Sequence, residues 1–207
     1  MRTLIIATLS LAVMAGCAGK ADYNPPTSSV TARNWKTITK PRESAWQATV
    51  AGLGKEVFII NNIDKASGLI ILSYSGDPEA YVDCGYIVSS NGERFPASRA
   101  HLIYDTAQGL KRYSIDRSLS LEGRMNILFE ELNPATTRVT VTARYILNRS
   151  LQVHSHGLLG KSYKGGENDS ISFGSGSDAS FTPRSGGPAE KCVATGALEQ
   201  SILAIID

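Results

Sequence analysis

Beyond its first seventeen residues the sequence has no apolar run long enough to cross a bilayer, which takes about 20 residues. It also lacks a charge excess of either sign: the formal net charge is +2 at pH 7 over 207 residues. The first absence excludes a chain built from membrane-spanning helices. The second removes the basic footprint expected of a nucleic-acid binder. No serine sits in a Gly-x-Ser-x-Gly elbow. Gly160-Lys161-Ser162 resembles the end of a phosphate loop, but the motif needs a glycine at position 155, where Ser155 stands. Strands do not alternate with crossover helices, which argues against a doubly wound fold, and there is no internal repeat.

What is present begins with the leader. Arg2 gives a positive start, Leu4 to Val13 is apolar apart from Thr8 and Ser10, and Met14-Ala15-Gly16-Cys17 follows. A charged start, a short apolar core and small residues at the end describe an export signal. Ending in a cysteine, it resembles a bacterial lipoprotein signal peptide. That resemblance implies cleavage between Gly16 and Cys17, lipid such as palmitate on Cys17, and a mature chain of 207 − 16 = 191 residues. Ala18, rather than Asp, follows the cysteine, which implies the outer membrane, with the domain facing the periplasm. The chain then divides into a signal peptide over 1–16, a lipidated tether over 17–33 and a single domain over 34–207. Asn24-Pro25-Pro26-Thr27-Ser28-Ser29 gives the tether its extended, polar character.

Of the three cysteines, lipidation of Cys17 leaves Cys84 and Cys192, an even pair in an oxidising compartment. Such pairs usually form a disulfide. Trp46, Val50 and Leu53 recur at helical spacing between Pro41 and Gly54. Short strands are expected over 57–60 and 69–74, with a turn at Asn61-Asn62-Ile63-Asp64. A hairpin signal stands at Asn91-Gly92. Further strands are expected around 100–104, 113–121 and 125–129. Val139, Val141, Ala143, Tyr145 and Leu147 alternate with polar residues, the cleanest strand pattern in the chain. From Gly157 to Gly187, eight of 31 residues are glycine, which predicts a long loop or a loose hairpin around Ile171–Phe173. Leu198, Ile202, Ile205 and Ile206 mark a closing helix capped by Gly196. The fold class expected is α+β: a mainly antiparallel sheet packed by an N-terminal and a C-terminal helix.

Few residues suggest chemistry. His154 and His156 alternate, so two imidazoles face one way on a strand and are the candidate metal ligands. Glu167, Asp169 or His101 would have to complete the set, and solvent-facing histidines are the plainer reading. Asp77, Glu79 and Asp83 lack the spacing of a calcium loop and read as a solvated acidic turn. Tyr74, Tyr81 and Tyr86 bracket that turn, either as a protein contact or as cover for the sheet edge. No catalytic residue, metal or cofactor is expected.

Lys40 to Tyr74 resembles a domain of the C subunit of the outer-membrane β-barrel assembly machine, through the Trp46 helix, a short strand, the Asn62-to-Gly68 turn and the apolar strand from Leu69. The likeness covers about one sixth of the chain. It implies a helix-grip arrangement, a helix held against a curved antiparallel sheet, in an accessory scaffold rather than a catalyst. The expected function is a lipid-anchored periplasmic module that binds or braces another envelope protein. A carrier of a lipid or other apolar ligand is the alternative, and an envelope enzyme stands behind both.

Overall fold

The computed structural model describes residues 21–27, 33–105, 111–157, 162–183 and 188–206. Gly16 and Cys17 lie outside them. The elements, in order, are β1 (Asp22–Asn24), β2 (Trp35–Ile38), α1 (Arg42–Leu53), β3 (Ile59–Asp64), β4 (Leu69–Gly76), β5 (Val82–Asp83) and β6 (Tyr86–Val88). There follow β7 (Arg94–Pro96), β8 (Arg99–Asp105), β9 (Lys111–Asn133), β10 (Thr136–Gly157), β11 (Ser162–Gly174), β12 (Asp178–Phe181), β13 (Glu190–Ala194) and α2 (Ala197–Ile205). The class is α+β, a mainly antiparallel sheet with two helices. No helix among the described residues is long and apolar enough to cross a membrane.

The hairpin of β9 and β10 organises the fold. The two strands stay paired from Lys111–Gly157 to the turn at Asn133–Thr136, far beyond the usual strand of about 5–6 residues. Each has a second edge that is shared. Along β9, residues 112–118 pair β8 and residues 121–128 pair β4. Along β10, residues 137–140 pair β2 and residues 144–156 pair β11. Strand β3 pairs β4 and ends the sheet on that side.

A strand alternates its side chains between faces, and both long strands use this cleanly. Leu121, Met125, Ile127 and Phe129 of β9 and Val139, Val141, Tyr145 and Leu147 of β10 point inward and are buried, while their even-numbered neighbours lie in the outer register. Both helices cover this inner face. From α1, Ala45, Trp46, Thr49 and Leu53 are buried, with the Trp46 ring edge-on to Phe129 at 5.3 Å between centroids. From α2, Leu198, Ile202 and Leu203 are buried. Gly196 caps α2 with a left-handed φ of 77°, a conformation glycine adopts without Cβ strain.

Four features depart from the sequence expectation. The strands expected at 113–121 and 125–129 are one strand. Gly123 stays in register, and a Cβ there would come within 3.1 Å of the Leu198 Cδ2, so this glycine admits α2 rather than breaking β9. The turn expected at 61–64 falls later, because a bulge between Ile60 and Asn62 lets β3 run on to Asp64. The Asp64 Oδ1 then accepts the Ala66 and Ser67 N–H groups and forms the turn itself.

The segment 157–187, expected as a long loop or a loose hairpin around Ile171–Phe173, carries β11 and β12, which pair β10 and β13 rather than each other. Ladder hydrogen bonds are made by the backbone, so the glycines of β11 do not prevent it from pairing the long strand β10. Here Tyr163 lies over Gly165, and Gln152 lies against Gly166. Part of the stretch read as a tether is also bound to the domain, since β1 pairs β6. Strands β1, β6 and β7 form one small sheet, and β12, β13 and β5 another. Cys84, just after β5, and Cys192 on β13 have sulfurs 2.07 Å apart, the disulfide distance.

Candidate functional site

His154 and His156 lie on β10 in the outer register. Their cross-strand partners are Ser114 and Arg112 on β9, and Lys164 and Ser162 on β11. Glu167 and Asp169 pair Leu151 and Arg149, positions of the opposite parity, so they face the other side of the sheet. His101 is engaged elsewhere, its Nδ1 2.5 Å from the Asp116 Oδ1. No three His, Cys, Asp or Glu side chains come together for a metal among the described residues.

The acidic turn is internally satisfied. Asp77 pairs Arg99 at 2.5 Å and accepts the Glu79 N–H, Glu79 accepts the Ser98 hydroxyl at 2.7 Å, and Asp83 accepts the Gly85 N–H at 2.8 Å. Tyr74 and Tyr81 meet edge to face at 5.0 Å. Tyr86 is separate from them, covered by the Arg94 guanidinium 3.4 Å from its ring centroid. Ser162, the described residue of the Gly160-Lys161-Ser162 triplet, opens β11 and not a helix.

The most concentrated chemistry is a buried ion network that the sequence reading missed. Arg117, two residues before Leu119 on β9, and Arg149, two residues after Leu147 on β10, share the inward register and are only 4% and 3% exposed. Arg149 grips Asp169 of β11 with both sides of its fork, Nε to Oδ1 at 2.8 Å and Nη2 to Oδ2 at 2.6 Å. The Glu190 Oε2, on β13, accepts from the Arg149 Nη1 at 2.7 Å and from the Arg117 Nη1. The Arg117 Nε donates to the Ala97 carbonyl, while its Nη2 is buried with no hydrogen-bond partner among the described residues. Arg149 also stacks over Phe181, 4.4 Å from the ring centroid.

Two guanidinium groups and two carboxylates balance, so the network carries no net charge. Burial pushes the Arg117 guanidinium down from its ordinary pKa, against the pull of Glu190. Burial acts on Arg149 in the same direction, but the Asp169 hydrogen bonds and Glu190 outweigh it and hold that group above its ordinary value. The network joins three strands of the large sheet to β13. Its arrangement is a clamp: each arginine is held by a fixed carboxylate, and the Arg149–Asp169 pair also borders an open surface cleft.

A second polar knot fixes α2. The Tyr145 hydroxyl and the Ser175 hydroxyl each donate to Glu199, at 2.6 Å. Glu199 is 1% exposed and occupies the first turn of α2, where the helix dipole favours a carboxylate. Burial, then the Glu199 hydrogen bond, raises the Tyr145 hydroxyl well above its usual pKa. The partners of Glu199 could be found only through the register of β10.

Two open clefts mark the surface. One, of about 340 Å³, is lined by Arg149 and Asp169 of the ion network together with Ser118, Ser120, Asn148 and Asn168. The other, of about 460 Å³, lies among Pro25, Pro26, Asp83, Tyr86, Arg94 and Pro96. No family model, no curated protein and no solved structure matches this chain.

Proposed function

We propose that the chain is a lipid-anchored protein of the bacterial cell envelope, tethered through Cys17, whose domain is a non-catalytic binding or scaffolding module. The observation that carries the choice of a scaffold over a carrier is the filled helix–sheet interior. Leu53, Ile70, Leu72, Met125, Ile127, Leu198 and Ile202 are fully buried there, and the two clefts described above open on the surface. A carrier of an apolar ligand needs a cavity between helix and sheet. Two helices gripping one face of a long antiparallel sheet suit a helix-grip-like brace.

The surface offers a place for a partner. Strand β3 has a free edge among the described residues, and Val57, Ile59 and Ile63 beside and along it are 73%, 62% and 42% exposed. A free edge of this kind accepts an added strand where the ladder stays regular on either side of the Ile60–Asn62 bulge, and here that strand would come from another envelope protein. The Cys84–Cys192 pair agrees with an oxidising compartment.

Acyl labelling tests the anchor. Wild-type protein incorporates a fatty-acid label and sediments with membranes, whereas Cys17→Ala loses both. Equal labelling of the variant overturns the assignment.

A further inference from the structure

The docking of β1 changes how far the domain can stand from its anchor. On the reading that Cys17 carries lipid, a free tether over 17–33 would span up to about 58 Å, taken as 16 residues at about 3.6 Å each. Strand β1 shortens that reach. Asp22, Tyr23 and Asn24 pair Val88, Ile87 and Tyr86. The Tyr23 hydroxyl donates to the Lys191 carbonyl at 2.9 Å, and Ala21 and Tyr23 pack against the core. Gly85, with φ of 76°, sits so close that a Cβ would lie 2.1 Å from the Asn24 carbonyl oxygen. Only three residues, Ala18 to Lys20, then separate Ala21 from Cys17, four steps along the chain that span at most about 14 Å.

We infer that the β1–β6–β7 end of the domain docks on the bilayer that holds the anchor, with the Tyr86–Arg94 cleft against phospholipid headgroups. The inference rests on the lipid-anchor reading and adds an orientation to it. The chemistry of the cleft fits a phosphate. Arg94 is exposed and lies face-on over Tyr86, which leaves the N–H edge of its fork free to donate to a phosphate oxygen. Among the described residues it has no carboxylate partner. Asp83, on the cleft wall, has its Oδ1 engaged by the Gly85 N–H. Tyr86, Pro25, Pro26 and Pro96 supply a rigid apolar rim. Tyrosine and arginine together suit the headgroup layer, which takes amphipathic rings and cationic forks.

The test uses full-length protein, processed in cells and reconstituted into vesicles of three parts phosphatidylethanolamine to one part phosphatidylglycerol. A fluorescent amino acid is placed at Ser90, in the β6–β7 turn, or at Ala135, in the β9–β10 turn. Both sites are exposed. Ala135 lies about 18 residues along the hairpin from Arg117, roughly 60 Å at the strand rise. Energy transfer to a lipid-borne acceptor is expected to be strong from Ser90 and weak from Ala135. Binding of the whole mature chain, residues 17–207 with Cys17→Ala to leave it unacylated, to the same vesicles is expected to fall about fivefold in Arg94→Ala, the scale for one cation at a headgroup surface. Acylated protein with equal transfer from both sites overturns the orientation. Unchanged binding of Arg94→Ala overturns the headgroup contact. An unacylated Cys17 overturns the anchor reading itself, separately from either.

Discussion

Replacing Glu190 by Gln strands a charge in the clamp between the two sheets. Gln keeps the shape and one acceptor oxygen but removes the carboxylate that Arg117 and Arg149 share. Arg149 retains Asp169, whereas Arg117 retains only the Ala97 carbonyl. Breaking a buried ion pair from one side costs about 3–5 kcal/mol. The Glu190 side chain is 20% exposed, so the low end, about 3 kcal/mol, is expected. Urea unfolding at pH 7 measures it as a lower midpoint with an unchanged slope. Adding Arg117→Met removes the stranded charge and fills its space with apolar atoms. The double variant is therefore expected to be more stable than Glu190→Gln alone, by about 1 kcal/mol or more. A cost below about 1 kcal/mol for Glu190→Gln, the scale of an exposed pair, refutes the clamp. So does a double variant whose losses simply add.

Three further outcomes follow from the same structure. Reduction of Cys84–Cys192, which are 108 residues apart, is expected to cost up to about 4.7 kcal/mol in the chain-entropy model, read as a lower melting temperature with dithiothreitol that Cys84→Ser/Cys192→Ser reproduces without reductant. Gly68→Ala places a Cβ 2.6 Å from the Phe129 carbonyl oxygen at a φ of +72°; about 2 kcal/mol of destabilisation is expected, and a melting temperature equal to wild type contradicts it. Burial pushes Tyr23 up to about 12 and raises Tyr145 as well. For a raised pKa the unfolded tyrosine ionises first, so stability is full below about pH 10 and lost as pH rises toward 12. Tyr145→Phe flattens that alkaline slope in a denaturant series, whereas an unchanged slope excludes Tyr145 as a source.

Much of the architecture was legible in the residues. Trp46 and Leu53 of α1, Leu198 and Ile202 of α2, and the alternation through β10 depend on local periodicity, and the structure buries them as that periodicity requires. The Cys84–Cys192 pairing followed from counting. What escaped depends on long-range register. Composition cannot show that Gly165 and Gly166 will find β10 as a ladder partner, so β11 reads from sequence only as a loop or a loose hairpin. Asp22–Asn24 is too short to announce itself as a strand without β6 beside it. The ion network escaped for a plainer reason. The inward alternation on β10 was followed to Leu147 and stopped there, and one step further puts Arg149 inside. Its carboxylates, Asp169 and Glu190, come from segments 20 and 41 residues away, and no sequence spacing links them.

The measurement that bears most directly on the scaffold reading is mass spectrometry of what crosslinks to the protein in intact envelopes, wild type beside Ile59→Lys. A lysine on the β3 edge blocks strand addition without entering the core. A stoichiometric protein partner captured by the wild type and lost from Ile59→Lys is the predicted result. A stoichiometric apolar small molecule, retained by both and unaccompanied by protein, contradicts it.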